Sequence, residues 1–217
     1  LKLEKRREES KGGWMKLEVP FIKQTTDFNC GPVALQMIFS YFGGIESLDS
    51  IEENCGAKEG NAISTVTLAV CAKDFGYNVD LMSDSFEIDE SLLDLEYYKK
   101  HGGTDWIKEG KKKIEEAKQK GVNLVEKELE LDELLGKLSE NCVPIVLVDW
   151  SYVKGTPEKG YQGHFVPLVG FNEKNVLVHN HGKLNTTEFL EIPREIFDKA
   201  RTAKGTDGDI LFLYNSN

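Results

Sequence analysis

The chain has 217 residues, of which 40% are hydrophobic and 29% are charged, and its formal net charge is −10. This length and composition suit one well-packed globular domain with elaborations, or two small ones. The acidic surplus argues against nucleic acid or an anionic membrane surface as a partner, because binding to phosphates needs a basic surface. No apolar run approaches the roughly 20 residues of a membrane span, so we expect no membrane segment in the chain.

The four cysteines show no C-x-x-C spacing, which argues against a structural zinc site or a thioredoxin-type pair. Their even number leaves disulfides open, but a chain of this size does not need them. We therefore expect free thiols, no metal and no cofactor, in a reducing compartment such as the cytoplasm. The cysteines are Cys30, Cys55, Cys71 and Cys142.

Residues 1–14 are charged and poor in apolar side chains, so we interpret them as a lead-in or linker and place a single domain at 15–217. Cys30 then stands directly before a dense apolar helix pattern that runs from Val33 to Phe42. A thiol at a helix N-terminus faces unpaired N–H groups and the positive end of the helix dipole, which favour the thiolate. Cys30 is the candidate nucleophile, although a cysteine taken alone is more often a small buried hydrophobe.

The remaining predicted elements are mostly helices in the first half of the chain and mostly strands in the last third. Helices are predicted at 47–55 and 62–75, and a strand at 77–82. Residues 84–121 form a charged helical insertion, which is either a solvated excursion or a lid over a substrate. A helix at 132–138 and strands at 143–148, 163–171, 176–179 and 209–214 follow. This order is typical of an α+β fold in which a helical layer packs on an antiparallel sheet.

A base for Cys30 has to come from four histidines: His101, His164, His179 and His181. His101 lies in the charged insertion, where an exposed turn residue is the default. His164 opens a predicted strand, which can hold its ring in a fixed orientation against a helix terminus. His164 is therefore the best candidate general base, weighed against the ordinary alternative of a hydrogen-bonded core histidine.

The strand that follows ends in the run Val178-His179-Asn180-His181, and an asparagine facing His164 across adjacent antiparallel strands would orient its ring. His179 and His181 alternate with Asn180, so we expect them on the opposite face, where a metal-binding pair is a remote alternative without a third ligand. Gln24 precedes Cys30 by six positions and can fold back to help hold an oxyanion, although a glutamine is more often surface decoration.

These residues resemble a known family. Gln24, the run Asn29-Cys30-Gly31-Pro32, Gly163-His164-Phe165 and Asn180 resemble papain-like cysteine peptidases that process bacteriocin double-glycine leaders, the peptidase C39-like family. The resemblance implies a papain-like cysteine proteinase fold in which these residues are the oxyanion donor, nucleophile, base and orienting residue. The family usually has a proline after the last of them, where this chain has His181.

A narrower resemblance covers 161–165 and 197–212, which are similar to guanylyl cyclase domain-containing proteins with the same papain-like motifs. Cyclisation of GTP by the familiar route needs paired carboxylates holding divalent metals, and no convincing carboxylate pair or glycine-rich phosphate loop is apparent. The sequence therefore predicts a cysteine peptidase acting on a peptide or protein through an acyl-thioester. The alternatives are acyl transfer, a guanylyl cyclase-like protein and a non-catalytic peptide-binding module; the sequence says nothing about oligomeric state.

Overall fold

The computed structural model describes residues 13–58, 60–87, 90–101 and 106–215. The expected lead-in at 1–14 lies outside these ranges except for Gly13 and Trp14. The helices are α1 Cys30–Phe42, α2 Leu48–Cys55, α3 Thr65–Asp74, α4 Glu96–His101, α5 Trp106–Gln119, α6 Leu131–Lys137, α7 Trp150–Val153 and α8 Arg194–Arg201. The strands are β1 Met15–Lys16, β2 Asn78–Ser83, β3 Asn123–Glu126, β4 Cys142–Asp149, β5 Gly163–Phe171, β6 Asn175–Asn180, β7 Thr187–Pro193 and β8 Ile210–Tyr214. Within the described ranges, no helix combines the length and apolar character needed to cross a bilayer.

One sheet in the order β3-β2-β8-β4-β5-β6-β7 organises the fold, and β1 adds to it by pairing with β5. The pairings are antiparallel apart from that of β2 with β3, which is parallel. Helix α1 packs against β5, α3 against β2 and α8 against β4, so the predicted α+β class, with helices packed on a largely antiparallel sheet, is confirmed. Successive residues of β4 from Cys142 to Val146 are all buried, which means that both faces of the central strands are covered.

Strand β5 changes partner halfway along its length, and this positions the site. Its first half pairs with β4, with His164 opposite Val148, whereas its second half pairs with β6, with Leu168 opposite Val178. Because β5 and β6 are antiparallel, the start of β5 and the end of β6 lie toward the same edge of the fold. The predicted neighbourhood of His164 and Asn180 follows from this topology.

Helix α1 is the central helix, and its burial explains its unusually apolar sequence. Ten of its 13 residues are buried, and Phe39 stacks face to face on Tyr77 with ring centroids 4.1 Å apart. Gly43 ends the helix in the left-handed conformation at φ 93°, which a residue without Cβ adopts freely. At the other end, Gly31 lies so close to Leu68 that an added Cβ would come within 2.7 Å of its side chain.

Two predicted boundaries need correction or detail. Helix α3 begins at Thr65 rather than at 62, because the Ser64 side chain accepts from the Thr67 N–H and caps the helix there. Between 84 and 121 the described residues contain a 3₁₀ segment at Glu90–Asp94, then α4 and α5. Helix α5 packs against α3 and so reaches back to the helical layer.

Candidate active site

Cys30 is the first residue of α1, and its thiol is partly buried beneath the start of β5. The backbone N–H groups of Phe165, Gly31 and Cys30 itself lie against the sulfur and lower its pKa. Burial has the larger effect and raises the pKa of the thiol above its ordinary value. The expectation that the helix terminus would favour the thiolate is therefore outweighed by desolvation, and the thiol is protonated at neutral pH.

The turn before Cys30 is held by the side chain of Asn29, which is buried. Its amide donates to Glu52 Oε1 at 2.7 Å and to Thr25 Oγ1 at 2.9 Å, and its Oδ1 accepts from the Thr26 N–H at 3.1 Å. Glu52 belongs to α2, so the position of the nucleophile is tied to a second helix. No local pattern predicts this link, because Asn29 and Glu52 lie 23 positions apart in the chain.

The backbone at His164 lies close to Cys30, because the next residue contributes the Phe165 N–H to the sulfur. The indole of Trp150 packs edge-on against its imidazole at 5.1 Å. Burial, followed by the nearby His181 and Lys154, lowers the pKa of His164 well below its ordinary value, so the ring is neutral at neutral pH. Its Nε2 atom is buried and has no hydrogen-bond partner among the described residues, which leaves it able to take a proton.

Asn180, the last residue of β6, hydrogen-bonds through its side chain to His164, and this contact raises the pKa of the imidazole. Asn180 Nδ2 donates to the Asn185 carbonyl at 2.7 Å. This bond holds the Asn180 amide in place beside His164.

Gln24 is buried beside the end of β6, where its backbone N–H donates to the His181 carbonyl at 2.9 Å. Its side-chain Nε2 donates one hydrogen to the Thr26 carbonyl at 2.9 Å, which leaves the second hydrogen of the amide for another acceptor. Gln24 Oε1 is buried without a partner in the described part of the chain. The glutamine is thus an ordered, buried residue of the nucleophile loop rather than surface decoration.

The two remaining buried histidines do not form the metal-binding pair that was weighed as an alternative. His179 Nε2 lies 2.8 Å from the Val19 carbonyl, and its Nδ1 accepts from the Phe189 N–H at 3.2 Å. His181 was predicted to face away from Asn180, and this is wrong: its ring lies 5.0 Å from that of His164. The reason is that β6 ends at Asn180, so the alternation of side chains stops there. Among the described residues, no group of three or more His, Cys, Asp or Glu side chains is placed to hold a metal ion.

A cavity of about 880 Å³ opens in front of Cys30. Phe165 and Leu147 line it beside the thiol, the connection between α2 and α3 forms one wall, and α5 forms another. The helical segment at 84–121 therefore contributes to the surface that a bound molecule would contact. Asp207 and Asp209 also line the cavity, and burial raises the pKa of Asp209 to about 7.

Comparison with known proteins gives one family and a set of structures with the same fold. The model of a family described as guanylylate cyclase matches residues 19–213. A double glycine motif protease from an AMS/PCAT transporter, solved in complex with the leader peptide, is 18% identical with a TM-score of 0.54, covering 92% of this chain and 94% of that chain. The peptidase domain of Streptococcus ComA, a bifunctional ABC transporter of a quorum-sensing pathway, is 13% identical with a TM-score of 0.51, covering 91% and 98%. A protein from Bacillus anthracis described as a C39-like peptidase is 14% identical with a TM-score of 0.52, covering 90% and 94%.

Proposed function

This chain belongs to the guanylylate cyclase family, and we propose that it is a cysteine peptidase in which Cys30 is the nucleophile and His164 the general base. The observation that carries the proposal is the placement of three side chains. The Cys30 thiol lies at a helix N-terminus against the Phe165 N–H, the preceding His164 has an unpartnered Nε2, and the Asn180 side chain lies close enough to raise the pKa of that ring. This is the order of nucleophile, base and orienting residue that acyl-transfer enzymes share.

The proposed reaction has two halves. Cys30 Sγ attacks the carbonyl carbon of a peptide or isopeptide bond while its proton passes to His164 Nε2, and the carbonyl oxygen becomes an oxyanion. The free N–H of Gln24 Nε2 and the backbone N–H of Cys30 are the proposed donors to that oxyanion. Collapse of this intermediate breaks the C–N bond, His164 protonates the leaving amine, and the acyl group stays on sulfur as a thioester. Water, deprotonated by His164, then releases the carboxylic acid and restores the thiol.

The cavity in front of Cys30 supports a peptide or protein as the substrate. Its volume of about 880 Å³ accommodates several residues of an extended chain, and its walls carry both acidic and basic side chains. The solved neighbour from the AMS/PCAT transporter holds a leader peptide, which is in keeping with a peptide in this groove.

The experiment that tests the nucleophile uses a thiol-directed electrophile followed by mass spectrometry of the labelled peptides. We expect labelling at Cys30, its loss in Cys30→Ala, and slower labelling in His164→Ala. Cys55→Ala is the matched control, because Cys55 borders the same cavity and is removed without touching His164. Unchanged labelling of the intact protein after Cys30→Ala would refute the assignment.

Peptidase activity itself is tested by incubation with a mixed peptide library and by sequencing the new termini. New termini that need both Cys30 and His164 establish hydrolysis, and mixed products joined to an added amine establish acyl transfer. Peptides that bind without being cut, with affinity unaffected by Cys30→Ala, would instead establish a non-catalytic binding module.

Cyclisation of GTP is the second candidate, and the specific observation in its favour is the description of the family as guanylylate cyclase. Incubation with GTP and excess Mg²⁺ or Mn²⁺, with detection of cyclic GMP, decides it. The two candidates separate through Cys30→Ala, which removes the nucleophile of the peptidase and has no direct role in attack of a ribose hydroxyl on a phosphate.

A further inference from the structure

His181 lies against three of the proposed catalytic residues, although it has no assigned role so far. It is fully buried directly after β6, next in sequence to Asn180. Its ring Nε2 lies 2.9 Å from the Cys30 carbonyl oxygen, its ring centroid lies 5.0 Å from that of His164, and its own carbonyl accepts from the Gln24 N–H at 2.9 Å. One residue therefore links the nucleophile, the base and the proposed oxyanion donor.

The protonation state of the ring decides which of these contacts is a hydrogen bond. Both nitrogens face carbonyl oxygens, Nδ1 that of His179 at 3.1 Å and Nε2 that of Cys30 at 2.9 Å. Burial lowers the pKa of His181, and the nearby His179 adds to this, while the two carbonyls act in the opposite direction. A neutral imidazole has one N–H, and the shorter contact assigns it to Nε2, which donates to Cys30.

The bond to the Cys30 carbonyl acts on the sulfur through the peptide group. The carbonyl of Cys30 and the N–H of Gly31 belong to the same amide, so a donor on the oxygen polarises the N–H. That Gly31 N–H is one of the groups that lower the pKa of the Cys30 thiol. The same bond also fixes the plane of the first peptide of α1, and with it the direction of the Cα–Cβ bond that carries the sulfur.

We propose that His181 is a positioning residue: its Nε2–H donates to the Cys30 carbonyl, holds the nucleophile beside His164, and strengthens the Gly31 N–H that faces the sulfur. This inference rests on the proposed function of Cys30 as a nucleophile. Its test measures the thiol directly, so it gives an answer whether or not a peptide is ever cut.

The experiment measures the rate of alkylation of Cys30 by iodoacetamide from pH 6 to 10, with Cys55, Cys71 and Cys142 replaced by alanine or serine so that one thiol reports. We expect His181→Phe, which keeps the ring shape and loses the donor, to raise the apparent pKa and to slow alkylation at pH 7.5 about tenfold. His181→Gln places an amide N–H at the ε position and is expected to restore the rate to within about threefold. His179→Gln is the matched control, because His179 is equally buried and contacts Val19 and Phe189 instead.

Circular dichroism and thermal unfolding establish that each variant is folded. Should His181→Phe fail to fold, the comparison is His181→Gln against His181→Asn, whose amide lies at the δ position and does not reach the Cys30 carbonyl. A fast glutamine variant and a slow asparagine variant support the proposal. Identical pH profiles for wild type and His181→Phe, or equal rates for the glutamine and asparagine variants, would overturn it.

Discussion

The carboxyl group of Asp209 offers a sharp test of how burial governs this site. Asp209 lines the same cavity as Cys30 and stands immediately before β8. Burial raises its pKa from 3.8 to about 7, with Asp207 and Asp84 acting in the same direction and the hydroxyls of Thr65 and Ser83 acting against it. The folded state therefore keeps a proton on Asp209 at pH values where the unfolded chain has lost it.

The sign and size of the effect follow from linkage. A carboxyl whose pKa is raised on folding contributes stability at low pH, and this contribution is lost as pH rises from about 4 through about 7. The rise in pKa from 3.8 to about 7 corresponds to at most about 4 kcal/mol of unfolding free energy. Because the side chain is partly exposed, water screens part of this effect. Asp209→Asn mimics the protonated form, so we expect it to lie within about 1 kcal/mol of wild type near pH 4.5 and to exceed wild type by about 2 to 4 kcal/mol at pH 8.

The assay is urea unfolding of both proteins at pH 4.5, 6, 7 and 8, from which the difference in unfolding free energy is plotted against pH. The difference between variant and wild type isolates Asp209 from every other group that titrates. Asp94→Asn is the control, because Asp94 is exposed and water screens its charge. A difference for Asp209→Asn that is the same at all four pH values would refute the reasoning.

Three further predictions concern the residues around the thiol. Trp150→Ala removes the indole that packs on His164 and so lets water reach the imidazole. We expect the pKa of His164 to rise by about one unit in an NMR titration of the ring proton. An unchanged pKa would contradict the role assigned to burial. Gly31→Ala places a methyl within 2.7 Å of the Leu68 side chain, and we expect it to lower the unfolding free energy in urea by about 1 to 3 kcal/mol. The loss should be smaller in a protein whose Leu68 is already alanine. If the losses from the two substitutions simply add, the two side chains do not clash. Asn180→Ala removes the bond that orients His164 and is expected to lower kcat about 10- to 100-fold with KM little changed, whereas an equal rise in KM would indicate a role in binding.

The parts of the fold that were predicted correctly are those with strong local patterns. Strand β5 was predicted at 163–171 and spans Gly163–Phe171, because a glycine precedes an apolar run that a polar turn ends. Strand β7, at Thr187–Pro193, was missed because it is an edge strand with mostly exposed or half-buried side chains. Helix α8 was missed because only Phe197, Ala200 and Arg201 are buried in a segment that is otherwise charged. Such elements are specified by their neighbours more than by their own periodicity.

Within the candidate site, the sequence favoured Cys30, His164, Asn180 and Gln24, since nucleophilic chemistry needs these residue types and only four histidines were available. Sequence reasoning missed the residues that hold them. Trp150 follows β4, whose pairing with β5 sets Val148 opposite His164 and so brings the indole near the imidazole. The sequence pattern alone does not specify which residues of β4 and β5 pair. The orientation of His181 arises because β6 ends at Asn180, the residue before it. Strand ends are the features that local sequence patterns predict least well.

The electrostatics of burial decide which form of the proposed chemistry this site can use. Burial raises the pKa of Cys30 and lowers the pKa of His164, so the thiol and the imidazole are both neutral at neutral pH instead of forming a thiolate and imidazolium pair. The unpartnered His164 Nε2 shows that no hydrogen bond joins it to another described residue, including Cys30. Under the proposed function, proton transfer from Cys30 to His164 then accompanies attack on the carbonyl, and His164 acts as a general base. In that mechanism the imidazolium exists only while an oxyanion is present, and the neutral ring of His181, 5.0 Å away, opposes the new positive charge less than a second imidazolium there would.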